Sequence, residues 1–128
     1  MWGIERVKGK AVVVNFWASW CKYCKKEAPD HEDAYNAFKD KDVEFVGIVL
    51  NDNESRARDF IDKYGISYPN GMDADGSIGR NYNAAIPSTY IINKDGVITY
   101  VMIGLISRSE LFGEIKKVAT KKGIKDYF

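Results

Sequence analysis

The chain has 128 residues, a length that fits one domain able to bury a core of its own. Its 19 basic and 18 acidic side chains leave a formal net charge of +1, so no global field favours nucleic acid. No apolar run approaches the ~20 residues of a membrane helix. The charged residues Glu5, Arg6 and Lys8 argue against a signal peptide at Met1. The expectation is a soluble globular domain over residues 1–128, read as part of a longer precursor.

Residues 11–17, Ala-Val-Val-Val-Asn-Phe-Trp, form a nearly continuous run of β-favouring apolar side chains. Such a strand is covered on both faces, as in parallel or mixed sheets. Residues 22–41 are polar, with Ala28, Tyr35 and Phe38 among charged neighbours, which predicts an amphipathic helix kinked at Pro29. His31 is expected on its exposed side. Residues 43–50 predict a second strand, followed by the turn and cap residues Asn51, Asp52 and Asn53. A second helix is predicted over 54–64, with Phe60, Ile61 and Tyr64 at helical spacing and Gly65 as its stop.

Tyr68-Pro69-Asn70-Gly71 and Asp73-Ala74-Asp75-Gly76 carry turn chemistry. The latter echoes the opening of a calcium loop but lacks the later ligands, so it reads as a turn. A short helix over 77–82 follows. Residues 88–93 and 97–103 flank Lys94-Asp95-Gly96, a hairpin signal. The last helix is predicted over 107–122, on the stripe Leu111, Phe112, Ile115 and Val118. The order β-α-β-α-(α)-β-β-α predicts a three-layer α/β domain with an antiparallel hairpin at the sheet edge.

Cys21 and Cys24 are the chain's two cysteines. A structural disulfide across so short a loop stabilises little. Zinc takes four ligands, and the two thiols with His31 supply three at best, so no metal site is expected. A redox pair fits better than two inert buried thiols. The pair sits at a strand-to-helix junction, which puts Cys21 at a helix N-terminus. Unpaired backbone N–H groups and the helix dipole favour an anion there. The expected effect is a thiol pKa below the usual value of about 8.5, with Lys22 adding positive charge beside it. Cys24 lies one turn further in and is more shielded. This asymmetry predicts Cys21 as the attacking thiolate and Cys24 as the resolving thiol. Glu27, three positions after Cys24, shares its helix face. It is either an acid serving the cysteine pair or a solvated helical carboxylate.

Phe16-Trp17-Ala18-Ser19-Trp20-Cys21-Lys22-Tyr23-Cys24 resembles the active-site segment of the thioredoxin superfamily. Gly9-Lys10 before it and Lys26-Glu27-Ala28-Pro29 after it are similar to the TlpA/ResA-like branch, extracytoplasmic thiol–disulfide reductases of which several serve cytochrome c maturation. The block from Ala85 to Gly96 resembles that branch's cis-proline loop and hairpin, and residues 54–76 resemble its central insertion. Asn15 departs from the pattern, standing where plain thioredoxins carry a buried acid. Lys22-Tyr23 lacks the proline common between such cysteines, and the branch's extra N-terminal β segment is either missing or cut off before Met1.

The resemblance implies a thioredoxin fold: a central mixed β-sheet flanked by helices, with the central insertion. It implies a redox-active Cys21–Cys24 disulfide, a cis Pro87 facing it, and Ile86 offering backbone hydrogen bonds to a substrate strand. Trp20 would flank the substrate groove, and Glu27 would point back at the cysteine pair. The activity implied is reduction of protein disulfides by an extracytoplasmic, exported or membrane-anchored protein. No cofactor is needed. The implied partners are a disulfide-containing protein substrate and a membrane-embedded thiol electron donor. A monomer is expected. Two alternatives remain open, a cytosolic thioredoxin-like reductase and a thiol-based binding module without turnover. Peroxidase chemistry, which works with a lone thiolate, fits this close pair less well.

Overall fold

The computed structural model describes residues 9–82 and 85–120. Strand β1 (Ala11–Trp17) is buried along its whole length, as its nearly continuous apolar run predicts. Its side chains alternate between two cores. Ala11, Val13 and Trp17 belong to a large cluster with α1 (Lys22–Phe38), α2 (Glu54–Tyr64) and α4 (Arg108–Lys116). Val12, Val14 and Phe16 belong to a second cluster on the other face, with Val46, Leu50 and Tyr90.

Four more strands complete one sheet in the order β3-β2-β1-β4-β5. β2 (Val43–Val49) runs parallel to β1, and β3 (Asn70–Met72) runs parallel to β2. β4 (Ser88–Ile92) is antiparallel to β1, and β5 (Ile98–Ile103) is antiparallel to β4. The sheet is therefore mixed, with helices against it, as predicted. The β4–β5 turn uses its Asp-Gly: Gly96 adopts φ 83°, and the Asn93 side chain accepts from the Asp95 and Val97 N–H groups.

α1 is continuous through Pro29. α2 begins at Asn53, whose side chain accepts the Arg56 N–H at 2.8 Å, and ends at Gly65 in the left-handed region. A short helix α3 (Ser77–Tyr82) precedes β4. The turn at Asp73 serves it: the buried carboxylate accepts the Ile78 and Gly79 N–H groups at 3.1 and 2.8 Å. α4 stops at Lys116, short of the predicted 122, and residues 121–122 lie outside the described residues.

Two further expectations fail. Tyr68-Pro69-Asn70-Gly71 carries turn chemistry, yet Asn70-Gly71-Met72 forms β3 and pairs with Gly47, Ile48 and Val49. The pairing overrides the turn chemistry because Asn70 is satisfied by Trp17 Nε1–H at 2.9 Å and by the Tyr68 carbonyl at 2.8 Å. His31 was expected exposed and is fully buried. The buried face of α1 is Cys24, Glu27, Ala28, His31, Ala34 and Phe38, a helical stripe that carries two titratable residues.

Candidate active site

The sheet's polarity gathers four loops at one end. β1 and β2 are parallel, so their C-terminal ends share an edge with the start of β4 and the end of β5. Such an edge is where α/β sheets place their chemistry. Residues 18–21, 50–53, 85–87 and 104–106 meet there.

Cys21 and Cys24 form a disulfide, with Cα atoms 5.2 Å apart. Cys21 is the N-cap of α1, and its Sγ accepts the Cys24 N–H at 3.1 Å. A sulfur thus occupies the position where a helix favours an anion. No acidic residue stands in the first turn to oppose it. Cys21 is 6 % exposed and Cys24 3 %, so the predicted difference in shielding is small in the oxidised state.

The loop after β2 holds the loop before Cys21. The Ser19 N–H donates to Asp52 Oδ2 at 2.6 Å, and Leu50 N–H to the Trp17 carbonyl at 3.0 Å. Asn51, in the left-handed region at φ 49°, presents its carbonyl to Trp20 Nε1–H at 2.9 Å. Trp20 is nevertheless 57 % exposed, so it is a surface ring beside the disulfide and not core packing. Tyr23 is also exposed.

On the far side, the Ile86–Pro87 peptide bond is cis. Pro87 is buried and directly precedes Ser88, the register partner of Phe16. Its carbonyl accepts the Gly104 N–H at 2.8 Å, which ties this loop to residues 104–106. Ile86 is half-buried.

Glu27 is 1 % exposed, which overturns the solvated alternative. Its Oε2 accepts the Ile106 N–H at 3.2 Å, while Oε1 has no hydrogen-bond partner among the described residues. Burial pushes its carboxyl up to about 7; the Ile106 N–H offsets this in part, and the charge of Asp30 adds to it. Beneath it His31 contacts the Glu27 carbonyl and Thr89 Oγ1. Burial pulls the imidazole down to about 4. Asn15 is buried opposite Thr89 in the sheet, and its Oδ1 is also without a partner among the described residues. No group of residues able to hold a metal ion occurs among the described residues.

Of the residues singled out in the sequence, the structure places Cys21, Cys24, Trp20, Ile86 and Pro87 at this end of the sheet and Glu27 on the buried helix face of Cys24; Asp52, His31, Thr89 and Ile106, which sequence reasoning did not offer as site residues, join them here. His31 had a signal, its place in the stripe Cys24, Ala28, His31, Phe38. The other three are brought in by long-range pairing and had none.

A disulfide whose first sulfur caps the helix after the first strand of such a sheet marks the class, a thiol–disulfide oxidoreductase of the thioredoxin fold. Residues 3–101 match the AhpC/TSA family, and the chain belongs to that family, within the thioredoxin superfamily. It is 32 % identical over 116 residues to the thiol–disulfide oxidoreductase ResA of Bacillus thuringiensis (strain Al Hakam), spanning 90 % of this chain and 67 % of that protein. Among solved structures it is similar to StoA from Bacillus subtilis, with a TM-score of 0.74, 30 % identity, and 83 % and 82 % of the two chains covered. It is also similar to a secreted disulfide oxidoreductase of Mycobacterium tuberculosis, with a TM-score of 0.79, 28 % identity, and 90 % and 99 % covered.

Proposed function

We propose that this chain reduces disulfides in client proteins on the outer side of the cytoplasmic membrane, cycling Cys21 and Cys24 between dithiol and disulfide. The observation that carries the reading is Cys21 Sγ as the cap of α1. A helix N-terminus stabilises a thiolate, and a thiolate is the attacking species.

In the reduced protein the Cys21 thiolate attacks one sulfur of the client disulfide. The client S–S bond breaks, a Cys21–client bond forms, and the other client sulfur leaves as thiolate. Cys24 then gives its proton to the ionised Glu27 carboxylate and attacks Cys21 Sγ. The Cys21–Cys24 bond closes and the second client thiolate leaves. General-base help of this kind is typically worth about 10²–10⁴-fold. A carboxyl near 7 is suited to it, because both protonation states are populated at neutral pH. The exposed ring of Trp20 and the Ile86–Pro87 segment frame the client strand.

A membrane-embedded thiol carrier returns the electrons, and apocytochrome c cysteines are the client class that the resemblance to the TlpA/ResA-like branch implies. Export is supported by the secreted Mycobacterium tuberculosis relative. No helix among the described residues is long and apolar enough to cross a membrane. The cycle uses no cofactor or metal, and residues 1–128 act as one monomeric domain. Turnover is tested by insulin reduction with dithiothreitol as electron source. Catalytic precipitation of the insulin B chain is expected. Stoichiometric capture without turnover would favour a binding module.

A further inference from the structure

His31 is fully buried one turn beyond Glu27 and takes no part in the exchange steps above. Its Nδ1 lies 3.0 Å from the main-chain oxygen of Glu27. A carbonyl oxygen only accepts, so Nδ1 carries the hydrogen. In the neutral ring Nε2 is then the lone-pair nitrogen. It faces two oxygens, Thr89 Oγ1 at 3.3 Å and Glu27 Oε1 at 4.0 Å. Thr89 is therefore the donor in the first contact. Glu27 Oε1 is the carboxyl oxygen left without a hydrogen-bond partner. An orphan oxygen and a lone-pair nitrogen thus confront each other in the buried interior, one side-chain adjustment short of a hydrogen bond.

We propose that His31 is a positioning residue for Glu27: the protonated carboxyl turns Oε1–H onto His31 Nε2, and the two side chains hold one proton as a dyad. This rests on the base role given to Glu27. The polar contacts of His31 go to Glu27 and Thr89, so it acts through Glu27. The opposite displacements of the two groups by burial agree with the proton resting on the carboxyl. The groups around the dyad come from every neighbouring element. Asp30 on α1 raises both members and is held in turn by Arg108 of α4 at 3.3 Å. Glu32 on α1 is engaged by Ser67. The Tyr68 hydroxyl, ahead of β3, is pushed up by burial and by Glu32 and stays neutral. Thr89 on β4 and Asn15 on β1 carry no charge.

During resolution the Cys24 proton passes to the Glu27 carboxylate and is held there by His31 while Cys24 Sγ bonds to Cys21 Sγ. The client sulfur leaves with the electron pair of the broken Cys21–client bond. No electrons pass through the dyad. When the next cycle begins, the carboxyl releases the proton to solvent.

His31 is the chain's single histidine, so one imidazole signal reports on the site. The test is ¹⁵N imidazole NMR of the wild-type protein, oxidised and reduced, from about pH 5 to about pH 9. An Nδ1–H tautomer is expected, with a step in the Nε2 shift centred near 7 as Glu27 ionises. Glu27→Gln should abolish the step. A flat Nε2 shift, or a step that survives Glu27→Gln, overturns the dyad.

A second arm follows the Glu27-dependent limb in the pH profile of Cys21 alkylation. Thr89→Val removes the hydroxyl that competes for Nε2 and should move the limb up. His31→Gln, whose amide N–H can donate to the carboxylate, should move it down. Each shift should be about half a pH unit or more, the size of one hydrogen bond. Shifts of the same sign, or none, would mean that His31 only fills space. A dyad that titrates as described while Glu27→Gln reduces disulfides at the wild-type rate supports the pairing and removes the base role.

Discussion

Glu27→Gln in the oxidised protein should change how stability depends on pH more than it changes stability at any one pH. In an unfolded chain the glutamate titrates at 4.5 and the histidine at 6.5. In the folded protein burial moves Glu27 to about 7 and His31 to about 4. Each displacement spans 2.5 pH units, the gap from 4.5 to 7 and from 6.5 to 4. At about 1.4 kcal/mol per pH unit each is worth on the order of 3 kcal/mol, with opposite signs.

For Glu27 the folded state binds more protons than the unfolded one across its window. Its contribution is fully present below 4.5 and is lost as pH rises through about 7. For His31 the folded state binds fewer. Its contribution is fully present above 6.5 and is lost as pH falls through about 4. Between 4.5 and 6.5 the slopes cancel: the unfolded pair keeps its one proton on the imidazole, the folded pair on the carboxyl.

Gln at position 27 removes one slope and leaves the other. The variant's stability minus that of wild type should climb by on the order of 3 kcal/mol from pH 4.5 to above 7. Urea unfolding at a series of pH values measures it, and taking the difference cancels the titrating groups that do not contact position 27. A difference constant to about 0.5 kcal/mol across the window would refute a Glu27 buried in its protonated form.

Cys24→Ala should accumulate mixed disulfides with clients, and Cys21→Ser should abolish turnover; mass spectrometry of trapped adducts distinguishes the two. Gly47→Ala would drive a Cβ onto Asn70 Oδ1 and to 2.7 Å from Trp17 Nε1, breaking the bond that holds β3. Overpacking of this kind costs about 1–3 kcal/mol, and a fall in the urea midpoint of that size is expected. Asp52→Ala strips the Ser19 N–H of its carboxylate partner and should cost about 1–2 kcal/mol, read in the same way.

The elements that sequence patterning found are those in which local signals agree with the fold. β1 is legible because Ala11–Trp17 is apolar at every position but Asn15, and the hairpin because Asp95-Gly96 separates two β-rich runs. The cysteine pair is legible because its chemistry depends on a junction that neighbouring residues define. β3 is not, since three residues of turn composition become a strand only against Gly47, Ile48 and Val49. His31 is misread because a polar side chain in a buried stripe looks like surface until Thr89, 58 positions away, closes over it. Asp52 and Ile106 meet the site through contacts 33 and 79 residues apart, which no local window contains.

The reducing direction of the exchange rests on the free-energy gap between the dithiol and the disulfide at Cys21 and Cys24. Equilibrating the protein against glutathione or dithiothreitol buffers and quantifying both forms by alkylation gives the reduction potential. A value near that of thioredoxin, about −270 mV, is predicted. A value near about −120 mV would make the protein an oxidant of its clients and contradict the account.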